Sequence, residues 1–428
     1  MTSKRTIWLF LIESLFVSSV LAKGPELGQP PFSIQTSRKQ APAYKLWQED
    51  LRQIARELPK LHKNAFFRIS KQKWLEIVNA SIQRIGPKTD ISQFTAELLR
   101  VCAALGDGHT QLDWTKAHLA QVPVHFFRFS DGVFVTFFPK DKPELKAAKV
   151  LRIGNQPIGK VLQRLRSFIP AENEAYFSNS AMLFLSFPSL LKAFGIQGDS
   201  QKLKIGIQVQ GQKMEVDVQS LPFGQRPKGG LATSFDKIPV FLGRARQKYA
   251  FKLLQKGQAL YFQYNRCKDL RGMEQLVKEL AKKLRDKHLK TFIIDLRRNG
   301  GGSSLVISPL LSFLILNKHK CLQGTQLYCL IGRRTFSSAL LNAMTLKQKF
   351  HAILVGEPTG GKPNHYGEIK PLRLRNSHLT LYYSTKFFKR VKGDPDSLMP
   401  DHAIPLLSKE IFKGEDAALR YCLEEKGN

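Results

Sequence analysis

Three short stretches carry the residue types that acyl-transfer chemistry requires. "RRNGGGSS" offers consecutive glycines, "GRRTFSSA" offers hydroxyls where a helical pattern begins, and "GEPTGGK" offers a lysine among glycines. Acyl transfer needs a nucleophile, a base and fixed N–H donors for the oxyanion, and these stretches hold one of each. Each directly follows an apolar run that reads as a buried strand, and the functional groups of parallel sheets gather beyond the carboxyl ends of their strands. Ser337 or Ser338 would stand on the first turn of a helix, where the dipole favours negative charge on an attacking oxygen. The same position equally suits a serine that only caps the helix. Lys362 reads either as a base or as a solvated loop lysine, and "NGGG" alone is compatible with a tight turn.

The spacing of "GEPTGGK" also matches a phosphate loop, G-x-x-x-x-G-K, but the residues after it do not. Pro363 stands where Ser or Thr would ligate Mg²⁺. "NHYGEIKPLRLR" reads as turn and strand, not as a helix whose first N–H groups would face phosphates. None of the five cysteines (102, 267, 321, 329 and 422) shows C-x-x-C spacing, which argues against zinc and thioredoxin-like roles. Their odd number leaves one unpaired in a monomer, while Cys321 and Cys329 could bridge after export. No metal or organic cofactor is called for.

Taken in order, "DGHT" (107–110), "DLRRNGGG" (295–302), "TFSSA" (335–339) and "GEPTGGK" (356–362) resemble the motif series of the carboxyl-terminal processing (tail-specific) serine peptidase family, to which the tricorn protease core is related. The resemblance implies a crotonase/ClpP-like α/β core with a mainly parallel sheet. A degenerate PDZ-like domain and an N-terminal helical segment would accompany it. In the Ser–Lys members the lysine follows the serine by 25 residues, the interval from 337 to 362 here, which selects Ser337 over Ser338. The implied mechanism has Ser337 as nucleophile and Lys362, desolvated and neutral, as general base. Backbone N–H groups of Gly301 or Gly302 and of Ser338 would form the oxyanion hole. Tyr366 stands where many Ser–Lys members have Gln. In the tricorn branch the base is instead the histidine matching His109, supported by a carboxylate that Asp394, shortly before "PD" (400–401), matches loosely. The implied substrates are unfolded or extended proteins and peptides, which can add to a sheet edge. A non-catalytic ligand- or polyanion-binding protein on the same fold is the rival reading.

These residues need elements to position them. "MTSKR" followed by an apolar run ending in "VLA" reads as a signal peptide over 1–22, hence a periplasmic or secreted protein without a transmembrane span. A Pro/Gly-rich linker fills 23–42. Trp47, Leu51, Ile54, Leu58 and Leu61 mark one helix of a helical segment over 43–118, and Phe94, Leu98, Val101 and Leu105 mark another. Short strands over 119–222, with "IGKVLQRLRSFI" as a helix, occupy the place of the PDZ-like domain, although a clear glycine-rich carboxylate-binding loop is missing. A second linker covers 223–245. From 246 to 428 strands and helices alternate, which predicts a parallel sheet with crossover helices. "KPLRLR" and "LTLYYST" close the series as an antiparallel hairpin. The net charge of +33, from 67 Lys+Arg against 34 Asp+Glu, would attract anionic envelope polymers non-specifically. Its basic residues are scattered, not gathered as a nucleic-acid reader would have them.

Overall fold

Runs such as "TFIID" and "QLYCLI" lack polar alternation, so as strands they need cover on both faces, which helices flanking a parallel sheet provide. The computed structural model describes residues 41–225, 229–232, 239–243 and 247–424. In it Thr291–Asp295 is buried along its whole length within a six-stranded sheet. The spatial order is His402–Ala403, Ile353–Gly356, Gln326–Ile331, Thr291–Asp295, Ala259–Tyr264, Tyr249–Leu254. Every neighbouring pair is parallel except the last. Leu270–Lys283, Ser308–Asn317 and Ser338–Phe350 are the crossover helices. Asp295 is level with Gln263 and Leu330, and Ile331 with Gly356, so the glycine-bearing loops leave the sheet side by side. Two edge strands, Tyr249–Leu254 and His402–Ala403, have no counterpart in the sequence reading.

Upstream, an antiparallel sheet orders His125–Phe129, Gly132–Pro139, Lys149–Ile153, Lys202–Val209 and Gln212–Gln219, with Gln156–Pro157 and Gly229–Leu231 paired at its side. The helix read in "IGKVLQRL" is Ile158–Leu165. Two further helices, Glu174–Phe184 and Pro188–Ala193, follow it. The N-terminal part is three helices, Ala43–Leu61, Lys71–Arg84 and Ile91–Ala103. The last opens on a reciprocal cap in which Asp90 accepts from the Gln93 amide while Gln93 accepts from that of Asp90.

The helical part and the C-terminal hairpin are fastened to each other. Thr380–Phe388 pairs on one side with His365–Arg373 and on the other with Gln111–Asp113, a three-stranded antiparallel sheet drawn from both ends of the chain. One apolar core runs from Leu51 and Phe94 through Val150 and Leu203 to Leu381. A second, with Phe262, Phe292, Leu310 and Leu354, fills the six-stranded half. None of the five cysteines forms a disulfide, and all are buried. Cys329 lies inside Gln326–Ile331 and Cys321 before it, so the bridge between them is not formed. Residues 1–22 and nearly all of 23–42 lie outside the described residues, as do parts of 223–245. Among the described residues no helix is long and apolar enough to cross a membrane.

Asp50 is the polar clasp of this arrangement. Fully buried in the first helix, it accepts from the Asn376 and Ser377 amides at 3.0 and 2.8 Å and from Asn376 Nδ2 at 2.9 Å. Asp50→Ala leaves these half-buried donors without their acceptor and should cost about 2–4 kcal/mol, read as a lower urea midpoint with an unchanged slope.

Candidate active site

The chain passes from strand Gln326–Ile331 through a five-residue turn into helix Ser338–Phe350, and Ser337 stands at the junction with φ 52° and ψ −127°. A non-glycine residue there is strained by about 1–3 kcal/mol and needs its surroundings to hold it. Several bonds do so. Phe336 N–H donates to Asn299 O at 3.2 Å, Gly361 N–H to Thr335 O at 3.2 Å, and Thr335 Oγ1 to Leu296 O at 2.9 Å. Ser337 occupies the N-cap position, yet its hydroxyl caps no backbone N–H. The merely structural role open to a serine at a helix start is therefore not the one it plays. A sharp strand-to-helix turn of this kind exposes a nucleophile.

The glycine loop packs against that turn. Gly301 has φ +106°, and a Cβ on it would lie 2.8 Å from Ser337 Cβ, so only glycine fits. Its N–H is already given to Asn299 Oδ1 at 3.0 Å. This corrects the donor role expected of Gly301, which instead supplies room. The Gly302 amide takes no partner among the described residues, and the Ser338 amide belongs to the first helical turn, which has no intrahelical acceptor. Ser338 Oγ donates to Gly302 O at 2.6 Å, binding the two loops together.

His109 approaches from the helical part. Its ring stacks on Phe336, centroids 4.4 Å apart, and on His365 at 5.3 Å. Both ring nitrogens are buried without a hydrogen bond. Burial and then neighbouring His365 press its pKa down to about 3, against the pull of Asp107, so the imidazole is neutral at physiological pH. Asp107 is buried and accepts four bonds: from His62 Nε2 (2.8 Å), Thr110 Oγ1 (2.6 Å), Ser384 Oγ (2.7 Å) and the His109 amide (2.9 Å). Burial alone would raise its pKa. The His62 bond, the charge of His109 and the two hydroxyls outweigh it and bring the value to about 2. Glu172 is buried beside it, with Oε1 on the Gly108 amide at 3.2 Å and Oε2 unpartnered. Burial first and Asp107 second raise it to about 8, so Glu172 is a neutral acid at pH 7. Donor atoms of Asp107, His109 and Glu172 lie within 4.8 Å of one another. Both Asp107 oxygens already accept hydrogen bonds from the protein.

Lys362 and Asp394, assigned to rival arrangements by sequence, meet each other. Lys362 is 5% exposed, and its Nζ donates to Asp394 Oδ2 at 2.9 Å and Asp396 Oδ1 at 3.2 Å. It makes no hydrogen bond to Ser337 among the described residues, and Asp394 makes none to His109. The amine is thus directed to two carboxylates and away from the serine. Tyr366 packs its ring on Phe67 and His62. Sequence reasoning missed Glu172, Asn173 and Asp396. Asn173 Oδ1 caps helix Glu174–Phe184 through the Tyr176 amide at 2.7 Å, and its Nδ2 holds Thr359 O, Asp396 O and Ser397 Oγ. An Asn before the apolar spacing Phe177, Ala181, Phe184 was the available signal.

No family model matches the chain, and no curated protein does. Solved structures do match it. Mature CPAF complexed with lactacystin has 13% identity and a TM-score of 0.60, covering 90% of this chain and 98% of its own. Mature CPAF alone gives 13% and 0.58, over 90% and 97%. A photosystem II D1 C-terminal processing protease gives 13% and 0.42, over 89% and 99%.

The Asp107–Glu172 pair sets a pH dependence of stability. Glu172 has a folded pKa above its unfolded value of about 4.5, so its contribution is complete below that value and is lost as pH rises through about 8. Glu172→Gln should remove that loss, gaining roughly 2–5 kcal/mol on the parent between pH 4.5 and pH 8, measured from urea midpoints at both ends. The chain shares the mixed α/β fold of mature CPAF over 90% of its length.

Proposed function

We propose that the protein is an exported serine endopeptidase that hydrolyses peptide bonds through an acyl-enzyme, with Ser337 as nucleophile. The observation that carries this reading is the φ of 52° at Ser337, a strained serine with an unused hydroxyl at a helix start, faced by glycines. His109 serves as general base in this reading, because its nitrogens are free and neutral whereas Lys362 is tied to two carboxylates. His109 takes the Ser337 proton as Oγ attacks the scissile carbonyl and returns it to the leaving amine. Water then hydrolyses the ester by the same route. The Gly302 and Ser338 amides stabilise the oxyanion, and the Asp107 carboxylate steadies the transient imidazolium in the place first given to Asp394.

A second reading keeps Lys362 as base. Its support is its burial beside Gly361, whose Cβ would lie 3.4 Å from the Ser337 nitrogen, and the exposure of both carboxylates that hold it. It requires the 394–396 segment to release the amine.

The finer architecture belongs to the same proposal: a crotonase/ClpP-like core from 246 onward, and a degenerate PDZ-like domain over 119–222. Export rests on the leader-like residues 1–22, and contact with anionic polymers on the charge of +33.

Cleavage of unfolded casein by the purified protein is the test. Ser337→Ala and His109→Ala should each lose about 10³-fold or more in kcat/KM, and Lys362→Ala should stay within about tenfold. A Ser337→Ala protein that cleaves as fast as the parent sinks the peptidase reading. A dead Lys362→Ala beside an active His109→Ala transfers the base role to the lysine.

A further inference from the structure

The stems of the two loops that shape the Ser337 site each carry an arginine without a hydrogen-bonded or ion-paired partner among the described residues. Arg298 lies three residues before Gly301 and Arg334 three residues before Ser337. At about 3.5 Å per residue, neither backbone can be more than about 11 Å from the site residue it precedes. Both side chains are half-buried, and among the described residues neither makes a hydrogen bond or an ion pair. Carboxylates nearby are already committed. Asp295 is held by Arg297 and by Tyr261 Oη at 2.6 Å, Asp416 by Arg297 at 2.7 Å, and Glu357 by Arg333 at 2.5 Å. The two guanidiniums share the walls of adjoining cavities of about 100 and 50 Å³, together with Phe127 and Asn179. The larger is also lined by Phe126, Met182 and Ser178.

Burial depresses the Arg298 guanidinium to about 10 against the attraction of Asp295, and burial with the charges of Arg298 and Arg266 depresses Arg334 to about 9, so both stay charged at neutral pH. Like charges gathered in a half-dry pocket are unfavourable unless an anion joins them. Guanidinium pairs bind carboxylates through paired, charge-assisted hydrogen bonds. The apolar rings beside them suit an aliphatic stem. A glutamyl side chain has that composition, and the larger cavity admits its few heavy atoms.

We propose that Arg298 and Arg334 form a subsite for a carboxylate of the peptide substrate, placed beside the nucleophile by the loops that build it. The subsite rests on the peptidase reading for its purpose, but its ligand chemistry can be tested without turnover.

The full-length Ser337→Ala protein would be titrated with fluorescein-labelled peptides of one sequence, carrying Glu or Gln at successive positions and ending in a free acid or an amide. One Glu peptide should bind at least about tenfold tighter than its Gln twin, as charge-assisted hydrogen bonds allow. Adding Arg298→Gln or Arg334→Gln should bring that ratio to within about twofold while leaving the Gln peptide's affinity unchanged, which also shows that the fold survives. If discrimination follows the free acid instead, the subsite holds and its carboxylate is the chain end. Equal binding of all twins, absence of binding included, or a ratio that survives both substitutions, overturns the subsite. Selective binding by Ser337→Ala with no cleavage by the unsubstituted protein leaves the subsite standing and removes the peptidase reading instead.

Discussion

The backbone of Ser337 is the point on which the site depends. A serine at positive φ is not chosen by its own preferences, so the loops on either side must leave it no better conformation. The carbonyls of Leu296, Asn299 and Thr335 supply that constraint, two from the loop after strand Thr291–Asp295 and one from the turn itself. All depend on strands ending at the same level, because a shift of one residue between Thr291–Asp295 and Gln326–Ile331 would separate Asn299 from Phe336. The parallel sheet therefore does more than bury apolar surface: its register fixes the angle at which one hydroxyl is offered.

Asp107 plays the equivalent part for the histidine. Its four bonds draw on the end of helix Ala43–Leu61, the turn after helix Ile91–Ala103 and strand Thr380–Phe388. The His62 ring accepts from the Asn64 amide at Nδ1, so Nε2 carries the hydrogen given to Asp107. One ionised carboxylate thus joins three distant segments and holds the loop from which His109 projects. Burial first, and then the charge of Asp107, disfavour a second ionised carboxylate here, which is why Glu172 holds its proton.

Much of this was legible in the sequence because it depends on local pattern. Apolar periodicity gave the crossover helices and buried strands, and motif order singled out the loops that meet around Ser337. Less visible were features settled by long-range pairing. Gln111–Asp113 is three residues long, too short for any alternation to register, and becomes a strand only because Thr380–Phe388 offers an edge. Gly301 and Gly302 look alike in "NGGG", and only the packing of Asn299 against the Gly301 amide separates one as spacer from the other as available donor. The partners of Lys362 were obscured for the same reason. Interval counting ties the lysine to Ser337, but Asp394 and Asp396 reach it from a loop over 30 residues downstream.

The distribution of charge carries a further consequence. A surplus as large as +33 invites an explanation from the whole-molecule field, yet individual cations sit in very different states. Lys362 has two carboxylates and Arg297 has two, both within the C-terminal half of the chain. Arg298, next to Arg297, and Arg334, in the turn before Ser337, have none among the described residues. A uniform excess of positive charge would not concentrate acidic partners on the first pair and withhold them from the second. Screening by salt weakens the general field within about a Debye length, but a half-buried guanidinium pair is shielded from much of that screening. In the proposed subsite, specific attraction for a carboxylate would thus outlast the general attraction for polyanions.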